Sequence, residues 1–243
     1  MTYCVGMRLD DGLVFMSDTR TNAGVDNVFT FRKLFTWSTP GERLIVLQTA
    51  GNLATTQAVV SLLNERMKAP EDRNPSILEV PTMFQVAKLV GDTLREVVRS
   101  QTAKGPTADS TFSATIIVGG QIAGSEPRLF LIYPEGNFIE ASDENPYFQI
   151  GEAKYGRPIL LRGYAPDLAF PDAVKLLFLS FESTLKANLS VGMPLDFLVY
   201  EDGSFSDDRQ KRITADDPYF RDLSVKWGEA IRIAIASLPD VEL

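Results

Sequence analysis

The stretch MTYCVGMRLDDGLVFMSDTRTNAG, residues 1–24, decides how the rest of the chain is read. Residues 3–9 suit one strand. Asp10-Asp11-Gly12 follows, and its glycine supplies the positive φ that a tight hairpin turn needs. Residues 13–17 then read as the returning strand, so the chain opens with an antiparallel pair.

Working outward, residues 33–37 and 44–47 are two further strands, with Pro40-Gly41 as the turn between them. After Thr49-Ala50-Gly51-Asn52 the apolar period lengthens: Leu53, Val59, Val60, Leu63 and Met67 sit at helical spacings, and Pro70 marks a stop. A second helix starts near Thr82, an N-cap residue type, and carries Val86, Val90, Leu94 and Val97 on one stripe. Gly91 weakens that helix by about 1 kcal/mol relative to Ala. Residues 101–109 read as loop, 112–118 and 128–133 as strands, and Phe138-Ile139 as the start of a third.

A helix is predicted over 171–188. It is apolar on nearly every side, which implies burial between layers or at a subunit contact. Residues 195–200 form the next strand, ending at the turn Glu201-Asp202-Gly203. The acidic stretch before Tyr219 reads as surface. Residues 230–238 fit helix or strand, and their three alanines favour helix. Helices in pairs between groups of adjacent strands point to two central antiparallel sheets with helices outside, an α+β arrangement without the strict alternation of a Rossmann domain.

The totals narrow the function. A chain of 243 residues, 44% of them hydrophobic, can bury most of its apolar surface in one core. No long Pro/Gly/Ser linker divides it, so a single domain over 1–243 is expected. A net charge of −8 with scattered Lys and Arg disfavours nucleic acid as a partner. One cysteine excludes an intrachain disulfide framework, and no apolar stretch reaches the length of a membrane span. MTYCVG lacks the basic-then-apolar order of an export signal, so the cytoplasm is expected.

There is no histidine. Ser-His-Asp and Cys-His catalysis, HExxH sites and most catalytic zinc arrangements are excluded with it. Thr2 offers another base. Its side chain is small, the kind after which an initiator Met is normally trimmed, and trimming exposes an α-amine beside the hydroxyl. With a reference pKa of about 7.7–8.0, such an amine is partly neutral at cellular pH and can take the hydroxyl proton. One residue would then supply nucleophile and base.

The run of residues 1–24, with FRKLF at 31–35, resembles the N-terminal nucleophile hydrolases of the proteasome β-subunit type, and within them the bacterial ancestral β-subunit group called Anbu. The resemblance implies a four-layer αββα sandwich and an N-terminal Thr acyl-enzyme that hydrolyses a peptide or small amide. In that pattern the catalytic residues fall on Thr2, Asp18 and Lys33, and the oxyanion-binding N–H on Gly51. Lys33 would lower the proton affinity of the amine and hydroxyl, and Asp18 would hold the ammonium. Arg20 would orient the substrate backbone or brace the Asp18 loop. No metal or organic cofactor is implied. The expected partners are the substrate and further copies of the chain, in a ring or open spiral.

Two departures from the family pattern stand out. Where the family places an Asp and a Ser after the inner helix, this chain has KANLSVG, with Asn188 and Ser190 the closest positions. The acid is missing. Around IGEAKYGRP, neither Gly151 nor Glu152 supplies the family's second hydroxyl. The missing acid favours an alternative, a non-catalytic structural or binding subunit that kept the sandwich, whereas Thr2, Asp18 and Lys33 favour the enzyme. A further alternative is an amidase for a non-peptide substrate. Cys4, inside the first strand and without a His partner, reads as an inert strand residue. Asp10-Asp11 is better explained by the hairpin turn than by an ion site.

Overall fold

The computed structural model describes residues 2–22, 28–68, 75–102 and 112–242. Met1, Pro70 and most of the loop expected over 101–109 lie outside them. The chain opens with β1 (Tyr3–Leu9) and β2 (Gly12–Asp18), followed by β3 (Arg20–Asn22) and β4 (Val28–Thr30), then β5 (Leu34–Thr39) and β6 (Arg43–Gly51). Helices α1 (Leu53–Lys68) and α2 (Met83–Thr102) come next. After them run β7 (Ala114–Ile122), β8 (Arg128–Ile132), β9 (Phe138–Glu140) and β10 (Tyr147–Gly151). The last third holds α3 (Arg157–Gly163), α4 (Phe170–Ala187), β11 (Leu195–Glu201), β12 (Gln210–Ile213) and α5 (Pro218–Ala236).

Two five-stranded antiparallel sheets stack at the centre, in the orders β10-β1-β2-β11-β12 and β5-β6-β7-β8-β9, with β3-β4 as a separate ribbon. Three apolar clusters separate the four layers. One lies between α1 and α2 and the outer face of the second sheet, around Leu47, Val59, Leu94 and Val118. One lies between the sheets, around Phe15, Leu34, Val46 and Leu198. The third lies between the first sheet and α3, α4 and α5, around Met16, Leu177, Phe181 and Val199. This is the expected αββα sandwich. It explains why every residue of β2, and all of β1 except the half-buried Arg8, is buried. One face of these strands meets the other sheet and the opposite face meets helices, so the polar alternation of a one-sided antiparallel sheet is lost.

Helix α4 is not wholly enclosed, contrary to expectation: its apolar residues face the first sheet and α5, while Asp172, Lys175 and Lys186 stay exposed. Phe178 stacks against Phe197 of β11 at 5.6 Å and against Phe220 of α5 at 5.8 Å. Gly91 also has a reason: a Cβ there would overlap the Gly136 carbonyl, so the β8–β9 turn packs directly on the α2 backbone. The acidic segment before Tyr219 does more than face solvent, since Asp217 accepts the Phe220 N–H at 3.0 Å and caps α5, with Pro218 in the first turn. The segment 230–238 is the end of that 19-residue helix together with the chain just beyond it. Strands β10 and β12 and helix α3 were not legible, being short and with weak periodicity.

Candidate functional site

The β1–β2 hairpin and the end of β6 bring the sequence-predicted residues to one corner. Asp18 ends β2 and is fully buried. Its Oδ1 accepts the Tyr3 N–H at 3.0 Å and a Lys33 Nζ donor at 2.7 Å, and its Oδ2 accepts the Gly192 N–H at 3.2 Å. Lys33, 4% exposed, also donates to the Arg20 carbonyl at 2.6 Å. Burial pushes the Asp18 carboxyl above the usual carboxylate range, opposed by the Lys33 ammonium and by the Tyr3 and Gly192 N–H groups.

Thr2 is held by its backbone. Its carbonyl accepts the Glu152 N–H at 2.6 Å, and Gly151, at φ +82°, comes so close that a Cβ would overlap that carbonyl. The Thr2 hydroxyl makes no hydrogen bond with another described residue, Lys33 included.

Gly51 closes β6 at φ +116°, a left-handed conformation, and a Cβ there would run into the Ser113 carbonyl. It stands opposite Ala114, and Asn52 N–H donates to Ser113 O at 2.9 Å. In that register the Gly51 N–H points away from β7, toward the flank of β6 that β5 no longer covers. Helix α1 begins two residues on, capped by Asn52 Oδ1, which accepts the Thr55 N–H at 3.1 Å. Thr2, Lys33, Gly51 and Gly151 line one cavity of about 290 Å³.

Arg20 and the loop after α4, which holds Ser190, meet at the Asp18–Lys33 pair and do not line this cavity. Arg20 donates to the Leu189 carbonyl at 2.7 Å and lies flat on Gly192, where a Cβ would overlap its guanidinium. Asn188 turns its amide to Glu152 Oε2 at 2.8 Å, and its own Oδ1 accepts the Ser190 N–H at 2.9 Å. Glu152, buried and unassigned from sequence, is thus both the donor to the Thr2 carbonyl and the acceptor of the Asn188 amide. Only the β1–β10 register, with Tyr3 opposite Gly151, reveals it. Cys4 is buried between the sheets; its thiol donates weakly to Thr49 O at 3.7 Å, and burial pushes its pKa up. Among the described residues no group of three or more His, Cys, Asp or Glu could hold a metal.

An αββα sandwich with Thr2 at the head of β1 and a buried Asp–Lys pair beneath it defines an N-terminal nucleophile hydrolase-like fold. The proteasome subunit pattern matches residues 2–197, and the chain belongs to that family, in its Anbu (ancestral beta-subunit) group. It is 49% identical to Anbu from Yersinia bercovieri, with 100% of each chain covered and a TM-score of 0.93. To Anbu from Hyphomicrobium sp. strain MC1 it is 51% identical, again over 100% of each chain, with a TM-score of 0.92. To the helical assembly of the Anbu complex from Pseudomonas aeruginosa it is 48% identical over 99% of this chain and 98% of that one, with a TM-score of 0.93. No curated protein matches it.

This similarity corrects the functional expectation. Anbu proteins are catalytically inactive relatives of the proteasome β subunits, so the threonine protease, its Thr2 acyl-enzyme and its peptide or small amide substrate are withdrawn. At the position after α4 where the family places an acid, Asn188 gives its amide to Glu152.

Proposed function

We propose that this chain is a non-catalytic assembly subunit, a single domain over 1–243, that builds a homo-oligomeric, proteasome-like complex in the cytoplasm. The observation that carries this reading is the end of α5. From Glu229 to Glu242 every residue is exposed, among them Ile231, Ile233 at 71%, Ile235 at 64%, Leu238 and Val241. Apolar side chains thus project from the last turns of a helix whose first turns pack on its own protomer, through Phe220 and Leu223. A helix apolar on all sides belongs in an interior, and a second copy of the chain is the occupant that supplies one.

A projecting element that fits a different surface on the next copy makes a head-to-tail contact, which generates rings when it closes and open helices when it does not. The helical assembly of the Pseudomonas aeruginosa relative fits the open case. No helix among the described residues is long and apolar enough to cross a membrane. In this setting the Asp18–Lys33 pair is an internal tie. It fastens the start of β1, the end of β2 and the loop after α4 to one another, and so fixes the frame from which α5 projects.

Sedimentation velocity tests the proposal. The wild-type chain should sediment as a large oligomer, Thr2→Ala should sediment identically, and Ile233→Glu with Ile235→Glu should give folded monomers or small species. A wild-type chain that stays monomeric at micromolar concentration, or a double variant that assembles normally, would refute it.

A further inference from the structure

Two uncovered apolar surfaces stand at opposite edges of the same protomer. The first is the end of α5. This helix follows β12 after a short turn and packs its first turns on α4, so it belongs to the β12 edge of the first sheet. The second is a groove of about 900 Å³ along β10, the other edge of that sheet. Leu131 and Ile139 line it from β8 and β9, and Leu160 and Leu161 from α3. Ile139 is 44% exposed and Leu161 64%, and none of the other three large cavities among the described residues has two large apolar side chains as open as these.

Size and charge match the two surfaces. The exposed end of α5, from Glu229 to Ala236, rises about 12 Å, and β10 runs about 17 Å, so the helix end fits within the length of the groove. Glu140 and Asp143 on the groove are already paired with Arg128 and Arg8. One acid and one cation, Glu144 and Arg157, remain there without an ion pair to a described residue. Past Glu229 the projecting segment carries charges to meet both: one cation, Arg232, and two acids, Asp240 and Glu242, all exposed and likewise unpaired.

We infer that the end of α5 of one copy seats in the β10 groove of the next. Ile233, Ile235 and Leu238 cover Ile139 and Leu161, Arg157 pairs with the acids beyond the helix, and Arg232 pairs with Glu144. Because the projecting element and its groove lie at opposite edges of one sheet, each copy gives to one neighbour and receives from another, and the contact repeats head to tail. A two-fold contact of α5 with α5 would leave every groove uncovered. This inference rests on the assembly reading and names the surface that receives the helix.

Disulfide trapping in the full-length chain tests it. Cys4 is fully buried between the sheets and does not compete. With Leu161→Cys and Ile235→Cys in one chain, mild oxidation of the assembled protein should give a ladder of covalent dimers, trimers and longer species on a non-reducing gel, while either single variant runs as a monomer. Arg157→Glu should raise the concentration needed for half-assembly at least about tenfold, and adding Asp240→Lys with Glu242→Lys should restore it. A covalent dimer from the Ile235→Cys single variant, no ladder from a double variant that sediments as an oligomer, or an Arg157→Glu variant that assembles as wild type overturns the inference and leaves the assembly reading in place. A wild-type chain that sediments as a monomer sinks both.

Discussion

The Thr2 corner and the end of α5 are built on opposite terms. At the corner a carboxylate and an ammonium are out of water, and the carboxylate receives three donors from three separate segments. Nothing there asks for a second protein. At the end of α5, Ile233, Ile235 and Leu238 stand mostly in solvent. The corner is complete within one chain, whereas the helix end is completed only by another. The family's catalytic residue types thus survive where the fold needs an internal tie, while the surface left unsatisfied points outward to assembly.

That contrast can be broken by mutation. The largest effect on the protomer is expected from Asp18→Ala, which leaves the Lys33 ammonium buried without its carboxylate. It should cost about 3–5 kcal/mol in urea unfolding, and a loss below about 1 kcal/mol would show that the pair is not the tie. Gly51→Ala should come next, because Ala at φ +116° is strained and its Cβ meets the Ser113 carbonyl. A loss of about 1–3 kcal/mol is expected, read from the same unfolding curves. Asp217→Ala removes the cap of α5 and should cost about 1 kcal/mol, with lower helicity by circular dichroism. Smallest for the protomer is Ile233→Glu. Its unfolding free energy, measured at concentrations low enough for the monomer, should stay within about 0.5 kcal/mol of wild type. The same variant should have the largest effect on oligomer size, and an inverted ranking would mean that the two regions had been assigned the wrong way round.

Much of the architecture could be read before the structure. The opening hairpin, α1 and α2 follow local rules, a glycine turn and apolar spacing, that act within a few residues. Helix α4 was legible from its apolar residues, although Asp172, Lys175 and Lys186 give it the solvent edge that all-round burial had ruled out. Strand β10 was missed although it pairs along β1, since YFQIG is five residues long and its partner lies far off in sequence. At the cavity, the residue types at positions 2, 18, 33 and 51 could be picked from their family pattern. That pattern says which groups meet, and it misjudged what the meeting accomplishes.

By itself the sequence determined the αββα sandwich, through the order of its strands and paired helices, and the absence of histidine chemistry, through composition alone. Tertiary structure decided that Asn188 faces Glu152, 36 residues away in the chain, and that α5 runs beyond the body of its own protomer. The physical reason is range. Periodicity and turn chemistry record what neighbouring residues require of one another, whereas a hydrogen bond between distant loops, or an apolar helix end left without cover, exists only once the sheets have set the distances.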